Sequence, residues 1–226
     1  EPSEHYSGKS GGIRVHRLPP TPREAVILSK ETVDLLERNV VGFMKQRRRL
    51  AAARLPTKKG LLFYGPPGTG KTHTISFLAS SLPDVTTLLI TAEQVGLLDE
   101  YMTLARLLQP SIVVIEDADL IARNRERMDS ACEEVLLNKL LNEMDGLREN
   151  VDVFFILTTN RPQSLEAALA ARPGRIDQSI EFPRPDEDCR RRLLALYAGR
   201  LRIKGGSLNR LILGAGDQGP QEHDAD

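Results

Sequence analysis

The octapeptide Gly65-Pro66-Pro67-Gly68-Thr69-Gly70-Lys71-Thr72 most narrows the folds open to this chain. It fits a G-x-x-x-x-G-K-[ST] loop at every fixed position and directly follows the apolar run Gly60-Leu61-Leu62-Phe63-Tyr64. Such a loop needs a strand before it and a helix after it. Glycines let successive backbone N–H groups turn inward around phosphates, and the helix start adds its positive dipole end. The loop therefore implies a nucleoside triphosphate, with Lys71 reaching the β/γ-phosphates and the Thr72 hydroxyl a magnesium ion. The whole stretch Gly65, Pro66, Pro67, Gly68, Thr69, Gly70, Lys71, Thr72 and His73 forms the expected nucleotide-binding set, although His73 also suits an ordinary helix surface.

Around the loop the pattern alternates. Strand-like runs at Gly60–Tyr64, Thr86–Thr91, Ile112–Ile115, Val153–Leu157 and Ser179–Phe182 interleave with helical spacing at Lys71–Ser81, Leu97–Leu108, Glu133–Leu147 and Ser164–Ala171. A helix over Lys30–Ala53 leads in, carrying Val33, Leu36, Val40 and Phe43, and another over Asp186–Arg200 follows Pro185. Alternation of this kind predicts an α/β fold with a parallel sheet, helices on both faces and ligand groups at the carboxyl ends of the strands. The expected divisions are a flexible lead-in over 1–22, a nucleotide-binding core over 23–185, a further helical segment over 186–204 and a disordered tail over 205–226.

Charge excludes some partners. Lysine plus arginine equals aspartate plus glutamate at 31 each, so no global pull toward nucleic acid or acidic membrane exists. The basic runs Gln46-Arg47-Arg48-Arg49 and Arg190-Arg191-Arg192 read as solvated helix faces, and aromatics are too sparse, at 4%, to build a stacking platform. No apolar run approaches bilayer length. Cys132 and Cys189 lack metal spacing and read as reduced thiols of a cytoplasmic protein. His5, His16, His73 and His223 are scattered without ligand spacing.

Three further features follow the loop in order. The strand Ile112-Val113-Val114-Ile115 ends abruptly in Glu116-Asp117-Ala118-Asp119, acids placed where magnesium and water are handled. Phe154–Thr159 ends in Asn160, an amide suited to aligning an attacking water, and Arg172-Pro173-Gly174-Arg175 supplies cations outside the cradle. An arginine so placed can stabilise transferred charge on a neighbouring subunit's nucleotide. Each has an ordinary reading: acids also cap helices, asparagines turn chains, and arginines pair with surface carboxylates. It is their combination in one order that argues for chemistry.

With Leu140-Leu141-Asn142-Glu143-Met144-Asp145-Gly146-Leu147 and Thr158–Arg161 added, these motifs resemble the AAA family of AAA+ ATPases over about Val26–Arg202. The resemblance implies a five-stranded sheet in the order 5-1-4-3-2, ring assembly as a hexamer, and ATP hydrolysis at subunit interfaces, driving remodelling of protein or complex substrates. It assigns Asn160 the sensor-1 role and makes Arg172 and Arg175 fingers acting in trans. Three departures qualify it. The second motif reads Glu116-Asp117 where most members have Asp-Glu, placing a glutamate with Thr72 at the metal position and an aspartate at the base position. Since neighbouring strand residues face opposite sides, the two acids are not expected to exchange roles. Ala92-Glu93-Gln94-Val95-Gly96 stands where threading members carry an aromatic grip, leaving Tyr101-Met102 as a substitute that equally reads as packed helix. The helical lid stops after roughly one helix, as a fragment or a vestigial lid. The inversion and short lid also fit an alternative, a module that binds ATP with little hydrolysis. A DNA-directed loader would need a basic appendage that this sequence lacks.

Overall fold

A computed structural model of the chain describes residues 20–119, 140, 142–144, 151–163 and 175–198. Five strands form one sheet: β1 (Lys59–Tyr64), β2 (Thr86–Ile90), β3 (Ser111–Ile115), β4 (Val153–Thr159) and β5 (Gln178–Glu181). All pair in parallel in the order β2-β3-β4-β1-β5, the expected 5-1-4-3-2 read from the other edge. Each strand starts within two residues of its sequence-based position. β4 runs two residues past Leu157, because Thr158 and Thr159 pair with Phe63 and Tyr64 of β1.

The sheet separates two apolar layers, as the period of two in each strand requires. On one face Leu62, Val113, Phe155 and Leu157 pack with Leu98, Tyr101, Met102 and Ala105 of α4 (Leu98–Leu107). On the other, Leu61, Phe63, Ile112, Val114, Phe154 and Ile156 meet Ile75 and Leu78 of α3 (Lys71–Ser81), together with the leading helical segment. That segment runs from α1 (Lys30–Leu36) through a π-helical stretch over Glu37–Gly42 into α2 (Phe43–Ala52). Its buried residues are Thr32, Leu36, Val40 and Met44, spaced four apart. A 3.6-residue helix would rotate such a row steadily off the sheet. The wider π turn holds the row on the core, a device the apolar spacing alone did not reveal.

Ser29 caps α1, its Oγ accepting from Thr32 N at 3.2 Å, and Thr32 Oγ1 donates to Glu181 O of β5 at 3.0 Å. The last described helix, α5 (Glu187–Ala198), begins one residue after Asp186, whose Oδ1 caps it by accepting from Cys189 N at 2.8 Å. That bond holds the exposed Asp186 carboxyl below its ordinary pKa. Residues 1–19 of the expected lead-in over 1–22, the tail over 205–226, the Ser164–Ala171 helix and most of the Glu133–Leu147 helix lie outside the described residues. Leu140 and Asn142–Met144 are helical. No described helix is long and apolar enough to cross a membrane.

Candidate nucleotide site

β1 delivers the chain to Gly65, where the backbone takes φ +149 and a Cβ would lie 2.2 Å from Phe182 O. Only glycine fits there, because the strand must turn while pressed against the chain leaving β5. Two more positive-φ glycines, Gly68 and Gly70, carry the loop over into α3. The loop closes on Lys71, whose Nζ donates to Gly65 O at 2.7 Å, Pro66 O at 2.9 Å and Asn160 Oδ1 at 2.8 Å. All three ammonium donors are thus used. Burial lowers the Lys71 pKa, and the Asp117 and Asp119 carboxylates act in the opposite direction. Thr72 and His73 are exposed on the first turn of α3, and His73 Nε2 lies 3.1 Å from Ala25 O.

β3 stops at Ile115, so Glu116 and Asp117 lie beyond the strand in a turn. This corrects the expectation that strand alternation sends the two acids to opposite sides. Glu116 N donates to Ile90 O at 3.0 Å, whereas Asp117 adopts a left-handed backbone with φ 49. Aspartate tolerates that region better than longer side chains do. Asp117 N donates to Thr158 Oγ1 at 3.0 Å, and Asp117 Oδ1 accepts from Asn160 Nδ2 at 3.0 Å. The Asn160 amide therefore bridges Lys71 and Asp117. Asp119, 2% exposed, accepts from Thr159 Oγ1 at 2.8 Å and from Asn160 N at 3.1 Å, fixing the backbone from which that amide projects.

These groups line one side of a cavity of about 650 Å³, a size suited to a small ligand. The loop from Pro67 to Thr74 forms its floor with Asp117, Thr158 and Asn160, while Ala25–Ser29 and Pro183–Asp186 with Cys189, Leu193 and Tyr197 form the opposite rim. The floor is polar, with Lys71 and Asp117 as its charged groups, and the rim supplies Val26, Leu28, Leu193 and Tyr197. A phosphate chain at one end and an apolar ring at the other match that division. Cys189 is buried on the rim, where burial and the neighbouring Asp186 push its thiol up to about 11, so it remains an unreactive thiol at neutral pH.

Magnesium bound with nucleotide needs hard oxygen donors and shares its shell with the phosphates. Thr72 lines the cavity, and Glu116 Oε1 is buried with no hydrogen-bond partner among the described residues. No cluster of three or more His, Cys, Asp or Glu gathers among the described residues, so an ion here would depend on the nucleotide. Thr72 lines the cavity and fits that kind of site directly, whereas Glu116 does not line it and would have to turn toward it.

Arg175 is at the opposite end of β1. Its carbonyl packs so closely on Gly60 that a Cβ there would approach to 1.9 Å, and Asp177 secures the contact by N to Gly60 O at 2.8 Å and Oδ2 from Gly60 N at 2.7 Å. Arg175 does not line the cavity. Arg172 and Cys132 lie outside the described residues. Ala92–Leu97 forms a 3₁₀ turn in which Gln94 Oε1 accepts from Thr91 N at 3.3 Å, closing the end of β2. Tyr101 and Met102 are buried in the core, the packed reading of that pair. Within the basic runs Arg47 pairs with Asp152 at 3.4 Å, Arg191 with Glu187 at 2.6 Å and Arg192 with Asp188 at 3.7 Å.

Residues 61–184, more than half of the chain, match the family described as ATPase family associated with various cellular activities (AAA). The chain belongs to the AAA family. Its AAA core is 36% identical over 156 residues to the 26S proteasome regulatory subunit 4 homolog B of Arabidopsis thaliana and to the 26S proteasome regulatory subunit 4 homolog of Oryza sativa subsp. japonica. Each alignment covers 64% of this chain and 35% of the relative, so the chain spans about a third of the length of these curated relatives. Sequence reasoning placed Asp119 among the acids after β3 without giving it a task, and it missed what the Thr158 and Thr159 hydroxyls do and the rim from Ala25–Ser29 and α5. The rim carries no local motif, because chain closure alone brings its parts together.

Proposed function

We propose that this AAA core binds ATP with magnesium and hydrolyses it to ADP and phosphate, in a ring, as a hexamer, that remodels protein or complex substrates in the cytoplasm. The observation carrying this reading is the hydrogen-bonded line Lys71–Asn160–Asp117 across the cavity floor. It brings a cation for the γ-phosphate, an amide for water alignment and a carboxylate base within hydrogen-bond distance of one another.

In this scheme the phosphates enter the loop, and Lys71 exchanges its carbonyl partners for phosphate oxygens. Thr72 and Glu116 would hold magnesium, which when bound would neutralise charge on the phosphates. Asn160 orients a water and Asp117 accepts its proton. The water oxygen forms a bond to the γ-phosphorus as the bond from that phosphorus to the β–γ bridging oxygen breaks, and ADP departs with those electrons. Developing negative charge is offset by Lys71, the loop N–H groups, and Arg172 and Arg175 offered by a neighbouring subunit. Arg175 stands outside the chain's own cavity, as a residue acting in trans would, and its buried Nη1 would have to swing out to reach a neighbour's nucleotide. The names of the two plant relatives, both proteasome regulatory subunits, support a protein substrate.

The test is steady-state ATP hydrolysis with Mg²⁺ against protein concentration, comparing the chain with Lys71→Ala, Asp117→Asn and Arg175→Ala. Specific activity should rise with concentration, and each substitution should abolish it. Arg175→Ala subunits should also be rescued in part by mixing with Lys71→Ala subunits, because each supplies what the other lacks. Parent activity at the level of Lys71→Ala, with ATP still bound, would replace this reading with a binding module.

A further inference from the structure

The inverted acid pair leaves a physical problem that the geometry resolves. An aspartate base is shorter than a glutamate by one C–C bond, roughly 1.5 Å, and a displacement of about 1 Å can cost on the order of 100-fold in rate. Yet Asp117, not Glu116, lines the cavity. We infer that Thr158 is a positioning residue that compensates for the short side chain by fixing the backbone of Asp117. This rests on the reading above that Asp117 is the base.

The last β3–β4 register pair joins Ile115 with Leu157, so Asp117 lies beyond the ladder. Its N–H bonds instead to the hydroxyl of Thr158, the residue after that pair, at 3.0 Å. Thr158 is 1% exposed and itself locked in β4 opposite Phe63, which makes its hydroxyl a rigid anchor. With the N–H held there, residue 117 turns left-handed at φ 49, and its carboxylate meets Asn160 Nδ2 at 3.0 Å. Asp119 braces Asn160 from the other side by its backbone N–H, so the two strand ends are cross-tied. A turn in the main chain thus delivers the carboxylate that a longer side chain would otherwise have to carry. Valine at 158 keeps the shape and removes the anchor; serine keeps the anchor and removes a methyl.

The experiment measures kcat, ATP Kd and the hydrogen-exchange protection of the Asp117 amide in the parent, Thr158→Val, Thr158→Ser and Asp117→Asn chains, and in the Asp117→Asn, Thr158→Val double variant. Thr158→Val should lower kcat 10- to 100-fold with Kd within about twofold, the range expected for a displacement near 1 Å. It should also expose the Asp117 amide to exchange, while Thr158→Ser restores both. In the Asp117→Asn background Thr158→Val should change kcat no further. Parent-like kcat in Thr158→Val beside an inactive Asp117→Asn would overturn the inference and leave the base assignment standing. So would equal loss of kcat and ATP binding in both Thr158 variants, which marks a merely structural role. Full activity in Asp117→Asn, or no hydrolysis by the parent, would instead remove the base assignment beneath it.

Discussion

Replacing Asp119 by alanine tests whether the cavity floor is held by the cross-tie between β3 and β4. The carboxylate is 2% exposed and accepts two hydrogen bonds through Oδ1, from Thr159 Oγ1 and Asn160 N. Hydrogen bonds to a charged group contribute roughly 1.5–3 kcal/mol each, so their joint loss costs about 3–6 kcal/mol before compensation. Removing a buried carboxylate also relieves its desolvation, which offsets part of that loss. A net destabilisation of about 2–4 kcal/mol at pH 7 follows. Asp119→Asn retains an acceptor oxygen and the side-chain shape, so it should cost about 1 kcal/mol or less. Urea unfolding with and without ATP is the assay: the midpoint should fall in the order parent, Asp119→Asn, Asp119→Ala, with unchanged slope. Under ATP turnover, Asp119→Ala should lose kcat because the Asn160 backbone is released. An alanine variant within about 0.5 kcal/mol of the parent, the usual range for a surface substitution, would refute the idea that this carboxylate braces the floor.

Two further outcomes can be checked. Gly65→Ala forces a Cβ within 2.2 Å of Phe182 O at φ +149, so it should cost more than about 1 kcal/mol and weaken ATP binding, seen as a lower thermal midpoint and a smaller shift with ATP. Lys71 binds phosphate only when protonated, and burial lowers its pKa. ATP affinity should therefore fall with rising pH before an ordinary lysine would deprotonate, and calorimetry on Lys71→Met should show weak binding without that alkaline decline.

Much of this architecture is legible in the residues. Five short strand-like runs separated by helical spacing leave a parallel sheet as their natural packing, and the loop at Gly65–Thr72 marks the strand whose end carries the phosphate cradle. The turn at Asp117 was not legible, because Ile115-Glu116-Asp117 reads as a strand continuing into its acids. What ends β3 is a competing acceptor, Thr158 Oγ1, from a strand more than 40 residues away. Likewise Gln94 reads as a failed grip and proves to close the end of β2, and His73 meets Ala25, a partner at long sequence distance. Local pattern reports periodicity and turn chemistry. It is silent on which hydroxyl or carbonyl arrives from elsewhere.

The rim of the cavity draws the two flanks of the fold into one arch. One springer is Ala25–Ser29, ahead of every strand, and the other is Pro183–Tyr197, behind them all. A ligand wedged between them would add a second direct tie between the two flanks of the described core, beside the bond from Thr32 Oγ1 to Glu181 O. Protection from proteases should accordingly rise at both flanks together, far apart in sequence, while the strands between them change little.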